Sequence, residues 1–124
     1  MTTFFVPGKP TQQGSMKHIG NGRVIHSKSA ELKFWREAIG WRAKSTKIEL
    51  LSNCAVEIHL RFILPRPKTI TRAFPTVPPD LDKFIRAVLD ALTGIAYKDD
   101  AQVCKITASK EYDDTPGVWI TIDT

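Results

Sequence analysis

The ten residues AVEIHLRFIL, Ala55 to Leu64, show the clearest secondary-structure pattern in this chain. Apolar side chains recur at every second position, and Glu57, His59 and Arg61 occupy the positions between them until Ile63 breaks the alternation. Such alternation predicts a β-strand that packs one face against a hydrophobic core and turns the other face to solvent. The apolar face requires a covering layer, which predicts helices packed on one side of a sheet.

Two further elements are predicted on the N-terminal side of this strand. Thr2 to Val6 predicts a short edge strand that prolines terminate. Ser29 is a suitable N-cap for a helix running to about Lys44, because a serine hydroxyl accepts a hydrogen bond from the first helical turn. The polar residues between these elements include GNGRVIH, Gly20 to His26, which is typical of a small hairpin.

The residues that follow the long strand, PRPKTITRAFPTVPP, predict a loop. They run from Pro65 to Pro79 and contain five prolines, three basic residues and no acidic residue. Prolines at this density exclude a helix and predict a long mobile connection. A basic loop beside a catalytic site often holds substrate, and a plain surface connection is the alternative. Phe74 could wedge between the bases of a nucleic acid, although packing back onto the protein is the favoured interpretation.

The C-terminal third of the chain predicts one helix and two strands. Asp82 is the expected N-cap of a helix that ends at Gly94, since glycine favours the left-handed conformation found just after a helix. The apolar stripe of this helix consists of Phe84, Ile85, Val88, Leu89 and Leu92. Gln102 to Tyr112 and Val118 to Ile122 then predict a hairpin closed by the turn sequence DDTPG.

Together these elements predict one domain, residues 1–124, of the α+β class, with a mixed or antiparallel β-sheet packed with two main helices. The chain is 42% hydrophobic and 25% charged, which is ordinary for a globular protein and excludes a disordered one. No apolar run is long enough to span a bilayer. The N-terminal residues also lack the pattern of a secretory signal.

The charge and the cysteines indicate the class of binding partner and the cellular compartment. Eighteen Lys and Arg against thirteen Asp and Glu give a net charge of +5, which favours a polyanionic partner, while simple solubility is the alternative. Cys54 and Cys104 lack CxxC spacing, and a reduced pair is favoured over a disulfide. We therefore expect a cytoplasmic, intracellular protein.

The acidic residues of PPDLDKF, Pro78 to Phe84, stand where a helix begins. Prolines hold the preceding chain extended, so Asp80 and Asp82 are expected to project to the same side. Two carboxylates this close repel each other unless they share a proton or bind a divalent cation. A third carboxylate, from Asp99 or Asp100, would complete an all-oxygen site suited to Mg²⁺ or Mn²⁺. Capping by Asp82 alone is the alternative, and a DxD pattern taken by itself favours it.

A metal held by these residues could activate water for attack on a phosphodiester. Arg86 follows Asp82 by one helical turn and could stabilise the charge that develops, while Asp90 is assigned to an ion pair with Arg86. Other hydrolase chemistries are disfavoured. The three histidines have no HxH or HExxH spacing, no serine lies in a GxSxG context, and no glycine-rich phosphate loop precedes a helix.

The stretch DLDKFIRAVLDALTGIAYKDDAQV, Asp80 to Val103, resembles the signature of the RusA family of Holliday junction resolvases. That signature reads DxDN, an amphipathic helix with a DAL triplet, a glycine, an aromatic residue and then DDxQ. The matching residues here are Asp80, Asp82, Asp90, Ala91, Leu92, Gly94, Tyr97, Asp99, Asp100 and Gln102. The N-terminal strand, the basic loop and helix, and the long strand before the motif are also similar to the family.

The resemblance implies an Mg²⁺-dependent, homodimeric endonuclease that nicks four-way DNA junctions symmetrically in recombination and repair. The metal-binding acids of the family fall on Asp80, Asp82 and Asp100, and Mn²⁺ is expected to substitute for Mg²⁺. Two positions depart from the pattern. Lys83 replaces the usual asparagine, and Arg86 replaces a catalytic lysine. Arginine keeps the positive charge but is effectively never deprotonated, so it retains electrostatic help and loses proton transfer.

The basic residues expected to contact DNA are Lys17, Arg23, Lys28, Arg66, Lys68, Arg72 and Lys83. The departures at Lys83 and Arg86 motivate an alternative, a non-catalytic protein that binds branched DNA and retains the fold. A nuclease that uses the same carboxylates on RNA is a third hypothesis. A gene of a cell and a gene of a phage or prophage both fit these expectations.

Overall fold

The structure is a computed structural model that describes residues 1–13, 18–19, 23–24 and 26–124, and the side chains of residues 1–13 and 30–124. The DNA contacts expected of Lys17, Arg23 and Lys28 concern side chains outside these ranges. In chain order the elements are β1 (Thr2–Pro7), β2 (His18–Ile19), β3 (Arg23–Val24), α1 (His26–Ser45), β4 (Val56–Leu64), α2 (Leu81–Leu92), a 3₁₀ turn (Asp100–Gln102), β5 (Val103–Tyr112) and β6 (Gly117–Asp123). The predicted element order is confirmed, and the small hairpin is present as β2 paired antiparallel with β3.

Four strands form one mixed sheet in the spatial order β1, β6, β4, β5. β6 runs antiparallel to β1 and to β4, whereas β5 runs parallel to β4. The alternation that predicted β4 is confirmed, because Val56, Ile58, Leu60 and Phe62 are buried in the core against the helices. The predicted α+β class, with a mixed sheet and two main helices, is therefore correct.

The predicted hairpin between the last two strands is wrong. β4 lies between β5 and β6, so the turn that joins them connects strands that are not neighbours. β6 occupies an interior position because Val118, Ile120 and Ile122 are all buried. β5 has no buried side chain, which suits a strand at the edge of the sheet. The turn sequence marked the change of direction but could not specify the pairing.

The helix starts also differ from the prediction, whereas the helix faces agree with it. α1 begins at His26, three residues before the expected cap. Asp80, not Asp82, occupies the N-cap position of α2, and its side chain makes no capping hydrogen bond. Gly94 follows the helix with a φ of 86°, as the sequence predicted. Both helices bury one stripe in the core, and the rings of Phe62 and Phe84 stack with centroids 5.1 Å apart. Within the described part of the chain, no helix has the length and apolar content needed to cross a membrane.

The face of the sheet opposite the helices carries a two-point ion pair. Arg61 Nε and Nη2 each donate to a carboxylate oxygen of Glu111 at 3.0 Å, and Ser109 Oγ lies 2.6 Å from Glu111 Oε2. The hydrogen bond from Arg61, followed by that from Ser109, holds the pKa of Glu111 below its ordinary value. The pair joins β4 to β5 and helps to keep the edge strand in register.

We expect the Arg61–Glu111 ion pair to stabilise the protein in a pH-dependent way. A carboxylate whose pKa is lowered by folding stabilises the native state above its unfolded pKa, about 4.3, and loses that contribution as pH falls through the lower folded pKa. Because the pair is partly exposed, Glu111→Gln should lower the free energy of unfolding by only about 0.5–1 kcal/mol at pH 7. The difference should shrink as the pH falls through the lowered pKa of Glu111. Urea unfolding at pH 7 and through a series of acidic pH values checks this, with the exposed Glu49→Gln as control. An equal loss at every pH would contradict the assignment.

Candidate active site

Asp80 and Asp82 are both at the N-terminus of α2. Asp80 is extended, with φ −76° and ψ 141°, whereas Asp82 is already in the first helical turn, so the expectation that both lie in extended chain holds only for Asp80. Both side chains are exposed. The helix dipole places partial positive charge at this end, which favours two carboxylates there. Lys83 Nζ lies 3.5 Å from Asp80 Oδ2 and provides a further cation.

Asp100 lies at the opposite end of α2. It starts the 3₁₀ turn that leads into β5 at Val103, whereas the residues just before Asp80 are bonded to Lys110, near the far end of β5. The twelve residues of α2 span about 18 Å, and the seven steps from Val103 to Lys110 span about 23 Å. The expected return of Asp100 to the Asp80–Asp82 pair therefore does not occur within one chain. Among the described residues, no three His, Cys, Asp or Glu side chains form a group that could hold a metal ion.

Asp99 and Gln102 build the turn that carries Asp100. Asp99 Oδ1 accepts a hydrogen bond from the backbone N–H of Ala101 at 2.9 Å, which makes Asp99 a capping residue. Gln102 Oε1 accepts from the backbone N–H groups of Lys98 and Asp99, and Gln102 Nε2 donates to the carbonyls of Leu51 and Cys54. These bonds tie the turn to the segment before β4. The aspartate and glutamine on either side of Asp100 thus have structural roles that hold this exposed carboxylate in a fixed position.

Arg86 and Asp90 do not form the ion pair that the sequence predicted. Among the described residues, the recorded partner of Asp90 is Gln13, whose Nε2 donates to Asp90 Oδ2 at 2.5 Å. Gln13 Oε1 in turn accepts from Arg36 Nη1 at 3.4 Å, so these contacts link the first loop, α1 and α2. Arg86 is exposed on the helix, about 6 Å along the axis from Asp82. Its charge faces solvent on the flank of α2 that leads away from the carboxylate pair.

Lys110 is a residue that the sequence analysis missed. Its ammonium group donates to the carbonyls of Val77 at 3.0 Å and Pro79 at 2.9 Å. These contacts anchor the backbone directly before Asp80. The strand register explains this role, because Lys110 pairs with Phe62 and so stands on the side of the sheet that faces the core. A lysine on that side requires oxygen partners.

The basic loop is held against Tyr112 at the end of β5. Arg66 donates to the backbone carbonyls of Arg72 and Ala73, and its guanidinium lies 4.6 Å from the centroid of the Tyr112 ring. Arg72 Nε donates to the Tyr112 hydroxyl at 3.0 Å. Lys68 is exposed. The loop is thus arranged by contacts of two residues that were predicted to bind DNA.

Phe74, in the same loop, does not pack back onto the protein as favoured above. Its side chain is 60% exposed. The exposed ring is thus accessible to a partner molecule.

Comparison with known proteins identifies the family. The model of the endodeoxyribonuclease RusA family matches residues 7–123, nearly the whole chain. The chain belongs to the RusA family. RusA family membership agrees with the resemblance that the Asp80 to Val103 motif predicted. The chain is also 30% identical, over 132 aligned positions, to a Bacillus subtilis (strain 168) protein described as "Uncharacterized protein YqaN"; the alignment covers 96% of this chain and 93% of that one.

Membership of the RusA family establishes the broad class of activity. RusA proteins are endodeoxyribonucleases, so the chain is assigned to the enzymes that cut DNA internally. The net charge of +5 agrees with a polyanionic substrate.

Proposed function

We propose that this RusA protein is a homodimeric, Mg²⁺-dependent endonuclease that resolves four-way DNA junctions by paired, symmetric nicks. The observation that carries the proposal is the exposed Asp80–Asp82 pair at the N-terminus of α2, beside Lys83 and Arg86. These residues lie within the motif of an endodeoxyribonuclease family whose model matches residues 7–123. Two free cysteines, Cys54 and Cys104, fit the intracellular setting that we also propose.

The donor chemistry of the pair fits a hard divalent cation. Mg²⁺ is commonly held by one or two carboxylates, keeps several waters and takes its remaining ligands from substrate phosphates. Asp80 and Asp82 supply two exposed carboxylates on a helix terminus whose position is fixed by the core. When bound, Mg²⁺ or Mn²⁺ would supply a water of lowered pKa and charge stabilisation at the scissile phosphate.

The neighbouring cations have separate roles in the proposed reaction. Lys83 neutralises Asp80 in the free protein, and a bound cation would release its ammonium group toward a DNA phosphate. Arg86 stands about one turn farther along α2 and would contact phosphate oxygens as a permanent positive charge. Neither side chain needs to transfer a proton in this scheme.

The second subunit has a specific role in the proposal. Asp100 belongs to the family motif, yet about 18 Å of helix separates it from Asp80 in its own chain. If the two α2 helices of a two-fold dimer pack antiparallel, the N-terminus of each helix lies close to the C-terminus of the other. We therefore propose that Asp100 of one subunit completes the carboxylate set of the other, so that the dimer contains two composite sites.

Lys110 is expected to tune metal affinity, because it anchors the backbone that presents Asp80. Lys110→Met removes two charge-assisted hydrogen bonds at Val77 and Pro79. The Mg²⁺ concentration for half-maximal nicking should rise about tenfold, equivalent to about 1.4 kcal/mol, with a near-normal rate at saturating Mg²⁺. Lys105→Met, an exposed lysine on the same strand, is the control. A lower rate at every Mg²⁺ concentration, with the same midpoint, would contradict this role.

A non-catalytic protein that binds branched DNA is the second candidate function. The Lys83–Asp80 ion pair favours it, because a lysine already neutralises one of the carboxylates. One assay separates the two functions: a synthetic four-way junction is incubated with the protein in Mg²⁺, Mn²⁺ or Ca²⁺. The nuclease predicts symmetric nicks in Mg²⁺ and Mn²⁺ and binding without products in Ca²⁺. Junction binding without products in all three metals would establish the second function instead.

A further inference from the structure

The outer face of α1 exposes two large aromatic side chains. Phe34 is 71% exposed and Trp41 is 75% exposed. Residues seven apart on an α-helix differ by only about 20° around the axis, so both rings lie on the same side. The opposite side of the helix is buried through Trp35, Ile39 and Ala43. The two exposed rings therefore contribute nothing to the core of this subunit.

Trp41 borders a groove of about 300 Å³ between α1 and α2. Gly40 faces the end of α2, where a Cβ would come within 3.1 Å of the Ile95 side chain and 3.9 Å of the Ala91 carbonyl oxygen. The absence of a side chain at Gly40 thus leaves room for Ile95 at the floor of the groove. The wall on the side of α1 carries Lys33, Arg36 and Lys44. An open groove with an indole at its rim can hold a flat ring system.

The charges around the groove favour an anion. Its acidic lining residues are Glu37 and Asp90, and Asp90 accepts a hydrogen bond from Gln13. Three cations against two acids leave the groove positive, and Arg42 on the same helix and Lys47 just beyond its end add to the field. Packing this face against a second copy would bring like charges together. A polyanion with planar groups satisfies both the cations and the exposed indole.

The groove is in line with the proposed cleavage site. Asp82, Arg86 and Asp90 follow one another at four-residue steps on the flank of α2, and Asp90 lines the groove. Eight residues of helix separate Asp82 from Asp90 by about 12 Å, which corresponds to about three to four nucleotide steps along a strand. A DNA strand cut at Asp82 can therefore reach Trp41.

We propose that this groove binds DNA near the branch point, with one unpaired base stacked on Trp41 and separate phosphates of the DNA on Lys33 and Lys44. The inference rests on the proposed nuclease function and adds a second DNA-binding site to it. A branch point opened by the protein would offer unpaired bases that a linear duplex does not, so stacking on an exposed indole would favour a junction over linear DNA. Trp41 would then contribute to junction selectivity rather than to the cleavage step.

Binding of a synthetic four-way junction, measured in Ca²⁺ against a linear duplex of equal length, tests the proposal. Trp41→Ala should weaken junction binding about tenfold and duplex binding much less, while Trp41→Phe, which keeps a ring, should lose about threefold or less. Trp119→Ala is the matched control, because Trp119 is 43% exposed on the opposite side of the sheet. If Trp41→Ala bound the junction and the duplex each as tightly as the wild type does, the proposal would be overturned.

A second measurement separates DNA contact from subunit contact. Lys44→Met should reduce the slope of log K against log salt by about 0.9 if Lys44 neutralises a phosphate. Sedimentation of Trp41→Ala should match the wild type, and a change of oligomeric state with an unchanged salt slope would assign the face to a subunit interface instead. Failure of the nuclease function is a distinct result, since it appears as absence of nicking by the wild-type protein in Mg²⁺.

Discussion

Asp82→Asn is expected to abolish nicking of a four-way junction while leaving junction binding intact. The substitution keeps the size of the side chain but removes one of two carboxylates at the N-terminus of α2, where the proposed cation would bind. Loss of that cation removes several kcal/mol of transition-state stabilisation, so the rate should fall at least about a thousandfold. Single-turnover cleavage in Mg²⁺ gives the rate, and gel shift in Ca²⁺ gives the affinity.

Asp114→Asn is the matched control for that experiment. Asp114 is an exposed aspartate in the turn between β5 and β6, and it should retain the wild-type rate. Asp82→Asn should also remain folded, because its side chain is exposed and α2 is fixed by buried residues on its other face. Loss of binding with unchanged cleavage chemistry would contradict the assignment of Asp82 to the metal.

Mixing two inactive variants is expected to restore activity. In the proposed dimer, each site uses Asp80 and Asp82 of one subunit and Asp100 of the other. A heterodimer of Asp82→Asn and Asp100→Asn then has one site with both changes and one site with neither. Random pairing of equal amounts gives about half heterodimers, so about a quarter of the wild-type sites should be active. If all three carboxylates acted within one chain, the same mixture would remain inactive.

The form of the DNA product and a control mixture of variants make this test more specific. A heterodimer with one active site should convert a supercoiled plasmid carrying an extruded cruciform to nicked circles, whereas the wild type should linearise it. The control mixture combines Asp80→Asn with Asp82→Asn. Each of its sites lacks one carboxylate of the pair, so no activity should return. Recovery in both mixtures would point to contamination by wild-type protein and would contradict the composite site.

Local sequence patterns predicted the helices and strands. They did not predict which strands lie next to each other in the sheet. The alternation of Ala55 to Leu64 identified the central strand, and Gly94 marked the end of α2. Alternation reports which side of a strand is buried but not which strand lies beside it. The placement of β4 between β5 and β6 depends on the summed burial of all four strands, and a turn sequence such as DDTPG contains no information about that sum.

The candidate site was predictable by residue type and less so by position. The motif pointed to Asp80, Asp82 and Asp100, and the first two are at the same end of α2. The third is not, because the twelve-residue helix α2 and the segment that follows it lie between them. Lys110 was missed since its role depends on a backbone contact across 31 residues of sequence. Trp41 was missed because exposure is a property of the folded surface.

The long separation of Asp100 from Asp80 has a consequence for how such a protein behaves upon dilution. An isolated protomer with an incomplete set of carboxylates would leave chromosomal DNA uncut, whatever its own fold stability. Catalytic output per molecule would then climb with protein concentration until association saturates. Mass action would in this way act as a safeguard, restricting scission to places where two copies meet on the same branched substrate.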